Sequence, residues 1–127
     1  MVPQLSDAEL EIMKIVWGNP EEVTLFPYIL EGLAARGRPC QKNTLIVLLS
    51  RLMKKGFLHA KKTGLRNEYT FLISEAEYQT AQTQCFLDKI YEGSAAGLVS
   101  NLIMGDLLAE EEYEELKRLL EKGTGPG

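Results

Sequence analysis

A mainly helical chain with one small β hairpin is what this sequence predicts, on three observations. Apolar residues recur at helical spacing through most of the 127 residues. Only two short segments, 57–61 and 68–73, alternate with period two instead. Capping and stop signals cut the chain into short pieces, and at 45% hydrophobic it can close one ordinary core, or one small domain with an appendage that needs a partner.

The run Leu5-Ser6-Asp7-Ala8-Glu9-Leu10 opens the first helix. The Ser6 hydroxyl is placed to accept from the Glu9 amide, Glu9 to reach back, and Leu5 to staple onto Leu10. Leu10, Met13 and Trp17 share a face that Ile12, Ile15 and Val16 widen, so one broad side is buried until Gly18-Asn19-Pro20 ends the run. Thr24 is the next N-cap candidate, with Pro27 in the first turn, where a missing amide hydrogen costs little. Phe26, Ile29, Leu30 and Leu33 form the stripe of a second helix that finishes at Ala35-Arg36-Gly37.

The third helix has the sharpest pattern: Leu45, Leu48, Leu49 and Leu52 recur at i, i+3, i+4 and i+7, and Lys54-Lys55-Gly56 supplies a positive last turn and a capping glycine. Its other face holds Lys42, Asn43, Ile46, Val47, Ser50 and Arg51. The two alternating segments follow, separated by Lys62-Thr63-Gly64-Leu65-Arg66-Asn67, which makes a hairpin with a basic tip. Three helices, the third basic on its outer face, followed by a basic hairpin, make a winged helix-turn-helix.

The rest is helical. Ser74-Glu75-Ala76-Glu77 is another capping box, and Tyr78, Ala81, Cys85, Phe86 and Ile90 carry apolar faces toward Tyr91 before Gly93-Ser94 breaks the run. A short apolar helix over 95–104 presents Leu98, Val99, Leu102 and Ile103, and Gly105 closes it. Glu110-Glu111-Glu112 then sits at the positive end of a last helix bearing Tyr113, Leu116, Leu119 and Leu120. Three such helices cannot easily close a core of their own, so their apolar faces predict a second copy: a homodimer. A ligand cavity between the helices and packing onto the first helix are the alternatives. The expected organisation is a winged-helix DNA-binding domain over 1–74, a helical dimerisation region over 75–122 and a flexible tail over 123–127.

Charge divides the chain in the same way. Ten basic against seven acidic residues give +3 up to residue 74, and four against eleven give −7 from residue 75 on, for a total of −4. Between Gly32 and Asn67 stand nine basic residues and no Asp or Glu, the footprint of a surface that meets polyanion, with a merely solvated basic face as the bland alternative. Chemistry has little to start from. Cys40 and Cys85 are isolated thiols without C-x-x-C spacing and read as small apolar residues. His59 is the single histidine and reads as a strand-edge residue; there is no G-x-S-x-G, H-E-x-x-H or Walker loop. A carboxylate pair chosen from Glu110 to Glu115 reads as part of a solvated helix face. No enzyme, metal or cofactor is therefore expected. No apolar run reaches the ~20 residues of a membrane helix, and residues 1–11 lack a signal-peptide layout, so a cytoplasmic protein without membrane insertion is expected.

The ordered pieces from Leu5 to Lys122 resemble the penicillinase and methicillin-resistance repressor family (BlaI/MecI type). They are Ser6 to Trp17 with Glu9 and Met13; Asn43-Thr44-Leu45 leading into Leu48-Leu49-Ser50-Arg51-Leu52 and Lys54-Lys55-Gly56; Glu68-Tyr69; Phe86-Leu87-Asp88; and Glu114-Glu115-Leu116-Lys117. No piece is specific alone; their order and spacing are. The resemblance implies homodimeric repressors whose two winged helices read a palindromic double-stranded DNA operator. It also implies a switch, because relatives controlled by a membrane-bound sensor protease are cut after an asparagine that an apolar residue follows, and Asn101-Leu102 stands at the matching place. The alternative is that Asn101 is simply an exposed helix residue.

Departures from the family pattern fall on the reading helix. Cys40, Gln41, Lys42, Asn43 and Thr44 replace the usual aromatic, cap and proline before lysine-threonine, and Ile46 and Val47 stand where polar or basic residues are usual. Ala109 replaces a serine cap, a loss of ~1 kcal/mol that the acidic first turn offsets in part. The paired Cys-x-Cys motifs of the copper-responsive branch are absent. Gln41, Lys42, Asn43, Thr44 and Val47 are assigned to the groove, where Asn43 and Gln41 suit adenine edges and Thr44 and Val47 suit thymine methyls. Arg51, Lys54, Lys55, Lys61, Lys62 and Arg66 are assigned mainly to phosphates. Phe86, Ile90, Leu98, Val99, Leu102, Ile103, Tyr113, Leu116 and Leu120 are assigned to the dimer contact. Two rival functions remain: a winged helix that docks a protein on Ile46 and Val47, and a repressor released by a small ligand in the dimer pocket.

Overall fold

The computed structural model describes residues 2–123. Its elements run α1 (Asp7–Gly18), β1 (Thr24–Leu25), α2 (Phe26–Ala35), α3 (Lys42–Lys54), β2 (Leu58–Thr63), β3 (Arg66–Phe71), α4 (Glu75–Ile90), α5 (Ala95–Met104) and α6 (Glu110–Lys122). One compact unit ends at Gln82 and a second begins at Thr83.

The first unit is a winged helix, with its core where the apolar stripes of the helices meet. Ile12, Met13, Ile15 and Val16 of α1, Ile29 and Leu33 of α2, and Leu45, Leu49 and Leu52 of α3 are buried with Phe57, Leu58, Tyr69 and Tyr78. The capping box of α1 forms: the Ser6 amide donates to Glu9 Oε1 at 2.8 Å and the Glu9 amide to Ser6 Oγ at 3.2 Å. Helices α2 and α3 both end in Schellman turns. Arg38 N–H reaches Leu33 O and Gly37 N–H reaches Ala34 O, while Phe57 N–H reaches Leu52 O and Gly56 N–H reaches Met53 O. The left-handed position this turn requires falls on Gly37 (φ 79°) and Gly56 (φ 82°).

The wing differs from the expected two-stranded hairpin. It is an antiparallel sheet in the order β1-β3-β2, because Thr24 and Leu25 pair with Tyr69 and Glu68. Thr24 is therefore not a helix cap. It is buried, and its Oγ1 accepts from Asn19 Nδ2 at 2.9 Å, while Leu25 takes the N-cap of α2 without a side-chain bond and Pro27 stays in the first turn. The strands pair Leu58 with Phe71 through to Thr63 with Arg66, so only Gly64 and Leu65 form the turn. Gly64 has φ 67°, as the first central position of a type II′ turn demands, and this is why β3 starts at Arg66 rather than at Glu68.

The start of α4 belongs to the first unit. Tyr78 accepts from the Leu5 amide at 3.0 Å and packs against Phe57 and Trp17, with ring centroids 5.6 and 5.9 Å away, and Trp17 Nε1 donates to Ile73 O at 3.0 Å. The Ser74 amide donates to Glu77, which holds that exposed carboxyl below the usual range.

The second unit has no buried side chain among the described residues. Its order comes from local bonds. Phe86 meets Tyr91 edge-on at 5.7 Å, Asn101 Nδ2 donates to Tyr91 Oη at 2.9 Å, and Ser94 Oγ caps α5 by accepting from Gly97. At Ala109 half a capping box survives: Glu112 Oε1 accepts from the Ala109 amide at 3.1 Å, and Ala109 returns nothing. Gly123 closes α6 by donating to Leu119 O, and the remaining residues of the expected tail, 124–127, lie outside the described residues.

The pair that ties α1 to the end of α3 is pH-sensitive. Burial pushes the Glu9 carboxyl up, but the bond from Lys55 Nζ at 2.6 Å and those with Ser6 outweigh it, so Glu9 titrates below its ordinary 4.5. A lowered carboxylate stabilises the fold fully above the unfolded value and less as pH falls through the folded one. Lys55→Met is expected to lower stability at pH 7 by about 1–3 kcal/mol, since it leaves Glu9 buried without its hydrogen-bonded cation, a loss that the partial exposure of Lys55 keeps below that of a fully buried pair. Urea unfolding should show that loss shrinking below the ordinary carboxylate range; a loss independent of pH contradicts the pairing.

Candidate nucleic-acid interface

Helix α3 buries Leu45, Leu49 and Leu52, and a helix with one face fixed in the core must turn the opposite face to water. The residues turned out are Gln41, Lys42, Asn43, Thr44, Ile46, Val47, Ser50, Arg51 and Lys54, all exposed. The set assigned to the groove therefore lies together on and just before the first turns of α3. Gln41 is the N-cap and makes no side-chain cap bond, so its amide group stays available. No acidic residue lies in the first turn of α3, which leaves the positive end of the helix open to an anion.

The wing adds exposed charge. Lys61, Lys62 and Arg66 stand on the hairpin arms on either side of the Gly64-Leu65 turn, and Leu65 at its tip is fully exposed. Lys61 faces Glu68 across the ladder, Arg66 Nη2 lies 3.4 Å from Glu68 Oε2, and Thr63 Oγ1 donates to Glu68 Oε1 at 3.1 Å. That ion pair is long and exposed, so it holds Arg66 weakly.

Lys55 departs from its assignment. Its ammonium is turned inward, bound to Glu9 Oε1 at 2.6 Å and to Gln4 O at 3.1 Å, so it holds the fold instead of waiting for phosphate. Arg38, outside the assigned set, is exposed in the connection between α2 and α3, four residues before the start of α3. Its only sequence signal is membership of the nine-residue basic run. Arg36 is partly neutralised by Glu11 at 2.8 Å. The apolar departures are both outward: Ile46 is 55% and Val47 50% exposed.

In the second unit Leu98, Val99, Leu102 and Leu116 are half-buried, and Phe86, Ile90, Ile103, Tyr113 and Leu120 are exposed. Asn101 is exposed inside α5, with Leu102 beside it half-buried. Among the described residues no group of three His, Cys, Asp or Glu side chains is placed to hold a metal ion, and no helix is long and apolar enough to cross a membrane.

Known proteins resemble this chain in sequence and fold. The chain matches the family model described as "Penicillinase repressor" over residues 5–122. It is 36% identical over 121 residues to the penicillinase repressor of Bacillus licheniformis, covering 95% of this chain and 92% of that one. To the methicillin resistance regulatory protein MecI of Mammaliicoccus sciuri it is 31% identical over 119 residues, 94% of each chain. Two solution structures resemble it at 35% identity, each covering 61% of this chain and 92% of the other. They are the DNA-binding domain of the repressor BlaI, with a TM-score of 0.52, and monomeric B. licheniformis BlaI in complex with the blaP half-operator, with a TM-score of 0.50. A match that runs from the cap of α1 to the last residue of α6 takes in both compact units, and the chain belongs to the penicillinase repressor family.

Proposed function

We propose that this chain is a sequence-specific DNA-binding repressor that acts in the cytoplasm, without catalysis, as a homodimer on a palindromic operator. The observation that carries the reading is the outward face of α3, where Lys42, Asn43, Thr44 and Val47 lie exposed beside a basic wing. The relative solved on a half-operator supports it. In this reading Gln41 and Asn43 pair with base edges, Thr44 and Val47 meet thymine methyls, and Arg51, Lys54, Lys61, Lys62 and Arg66 hold phosphates. Residues 1–74 carry recognition and 75–122 carry dimerisation, with the first turns of α4 anchored on the winged helix through Tyr78.

The dimer is supported by the state of the second unit, which has many apolar residues and no buried side chain among those described. A second copy would cover Phe86, Ile90, Leu98, Val99, Leu102, Ile103, Tyr113, Leu116 and Leu120, and two half-sites would be held about one helical turn apart. Cleavage between Asn101 and Leu102 by a membrane-bound sensor protease would divide that apolar surface and release the operator. The exposed Ile46 and Val47 favour one second reading, a winged helix that docks a protein partner.

Selection from a random duplex library at about 0.15 M salt, where sequence-blind binding is weakened, is expected to enrich a dyad-symmetric motif. No enrichment from a folded protein moves the assignment to protein docking. On the enriched site Asn43→Ala is expected to lose about 1–3 kcal/mol with little loss on scrambled DNA, whereas Lys62→Ala weakens both alike and lowers the salt slope by about one. Equal losses for Asn43→Ala on the two duplexes contradict a reading role.

Sedimentation at micromolar concentration is expected to give a dimer that Leu102→Asp dissociates; a monodisperse wild-type monomer sinks the dimer. Incubation with a sensor protease that cuts a control repressor is expected to split the chain between Asn101 and Leu102 by mass spectrometry, and an intact chain counts against the switch.

A further inference from the structure

Between the outer face of α3, the start of α2 and the wing lies a cleft of about 750 Å³, of whose lining the proposed repressor activity uses only Arg66. Its volume falls in the range of small-molecule sites, and its lining follows their pattern of apolar walls with a few polar groups. Phe26, Ile46, Met53 and Leu65 give it apolar walls, three of them at least a third exposed. Ser50, Asn67 and Arg66 are the polar lining. Arg66 is the only charged residue there, and its partner Glu68, at a long 3.4 Å, does not line the cleft.

We propose that this cleft binds a small apolar organic anion, such as an aromatic carboxylate, and that the bound anion displaces DNA. The ring system covers Ile46, Met53 and Leu65, removing apolar surface from water. The carboxylate takes the Arg66 guanidinium, whose planar fork suits two parallel hydrogen bonds and whose present ion pair is weak. No acidic side chain lines the cleft to oppose it. Ile46 and Ser50 lie on the exposed face of α3, and Arg66 is among the residues assigned to phosphate, so an occupied cleft withdraws a cation and thickens the face that would approach the duplex. The displacement rests on the DNA-binding reading; the ligand site does not.

The probe is 2-naphthoate, titrated into the full chain and followed by amide proton and nitrogen shifts. Saturable shifts at Ser50, Leu65 and Asn67 are expected. Ile46→Trp, which fills the cleft from an exposed position, and Arg66→Gln should each weaken binding about tenfold, and so should neutral 2-naphthylmethanol in place of the acid. No saturable binding, binding unchanged in Ile46→Trp, or shifts confined to residues beyond 82 overturns the site. Equal affinity for the neutral alcohol overturns the anion. Shifts at these residues that follow protein concentration without naphthoate assign the cleft to a second copy and overturn the proposal. With duplex present, saturating naphthoate should lower DNA affinity about tenfold in the wild type and leave Ile46→Trp unaffected; unchanged wild-type affinity overturns displacement. Naphthoate bound in the cleft of a chain that binds no duplex supports the site and overturns the DNA-binding reading instead.

Discussion

The burial of three leucines decides how everything on α3 is presented. With Leu45, Leu49 and Leu52 locked into the core, the helix has one permitted rotation about its axis. A slip of one residue would turn it by about 100°, bringing Ile46 into the core and leucines onto the face now exposed to solvent. Truncating a buried leucine typically costs 2–5 kcal/mol, so the outward set is defended by a large fraction of an ordinary domain's stability. The Lys55–Glu9 pair and the Gly56 turn fix the far end of the same helix. Packing, capping and the half-buried ion pair thus converge on orienting one exposed face.

Features with local causes were legible in the sequence. The capping box at Ser6 and Glu9, the glycine stops at Gly37 and Gly56, and the leucine stripe of α3 need only residues within a turn or two of one another. What escaped was set at a distance. Thr24 has the side chain of a helix cap, and its place in β1 depends on Tyr69, far along the chain. Lys55 looks like any basic residue at a helix end until the fold brings Glu9 to it. The apolar surplus after residue 83 is legible as a surplus, and in the second unit it finds no core: none of the described side chains there is buried.

The uneven distribution of charge has its own logic. The basic run lies on the unit with a closed core, where side chains have fixed positions. Most of the acidic excess lies in the second unit, which has no buried side chain among the described residues, and there like charges oppose random association of exposed apolar surface and leave little attraction for phosphate. A polyanion is therefore attracted to the unit with the closed core and not to the other.

Trp17 is the chain's only tryptophan, held between the Ile73 carbonyl and the Tyr78 ring at the point where α4 begins. Its indole fluorescence is an optical reporter for that junction. Emission during denaturation follows the docking of the first turns of α4, so an unfolding curve read this way tracks the closed core, whereas circular dichroism averages over all six helices. A gap between the two curves would separate melting of the later helices from loss of the winged helix, without any label being added.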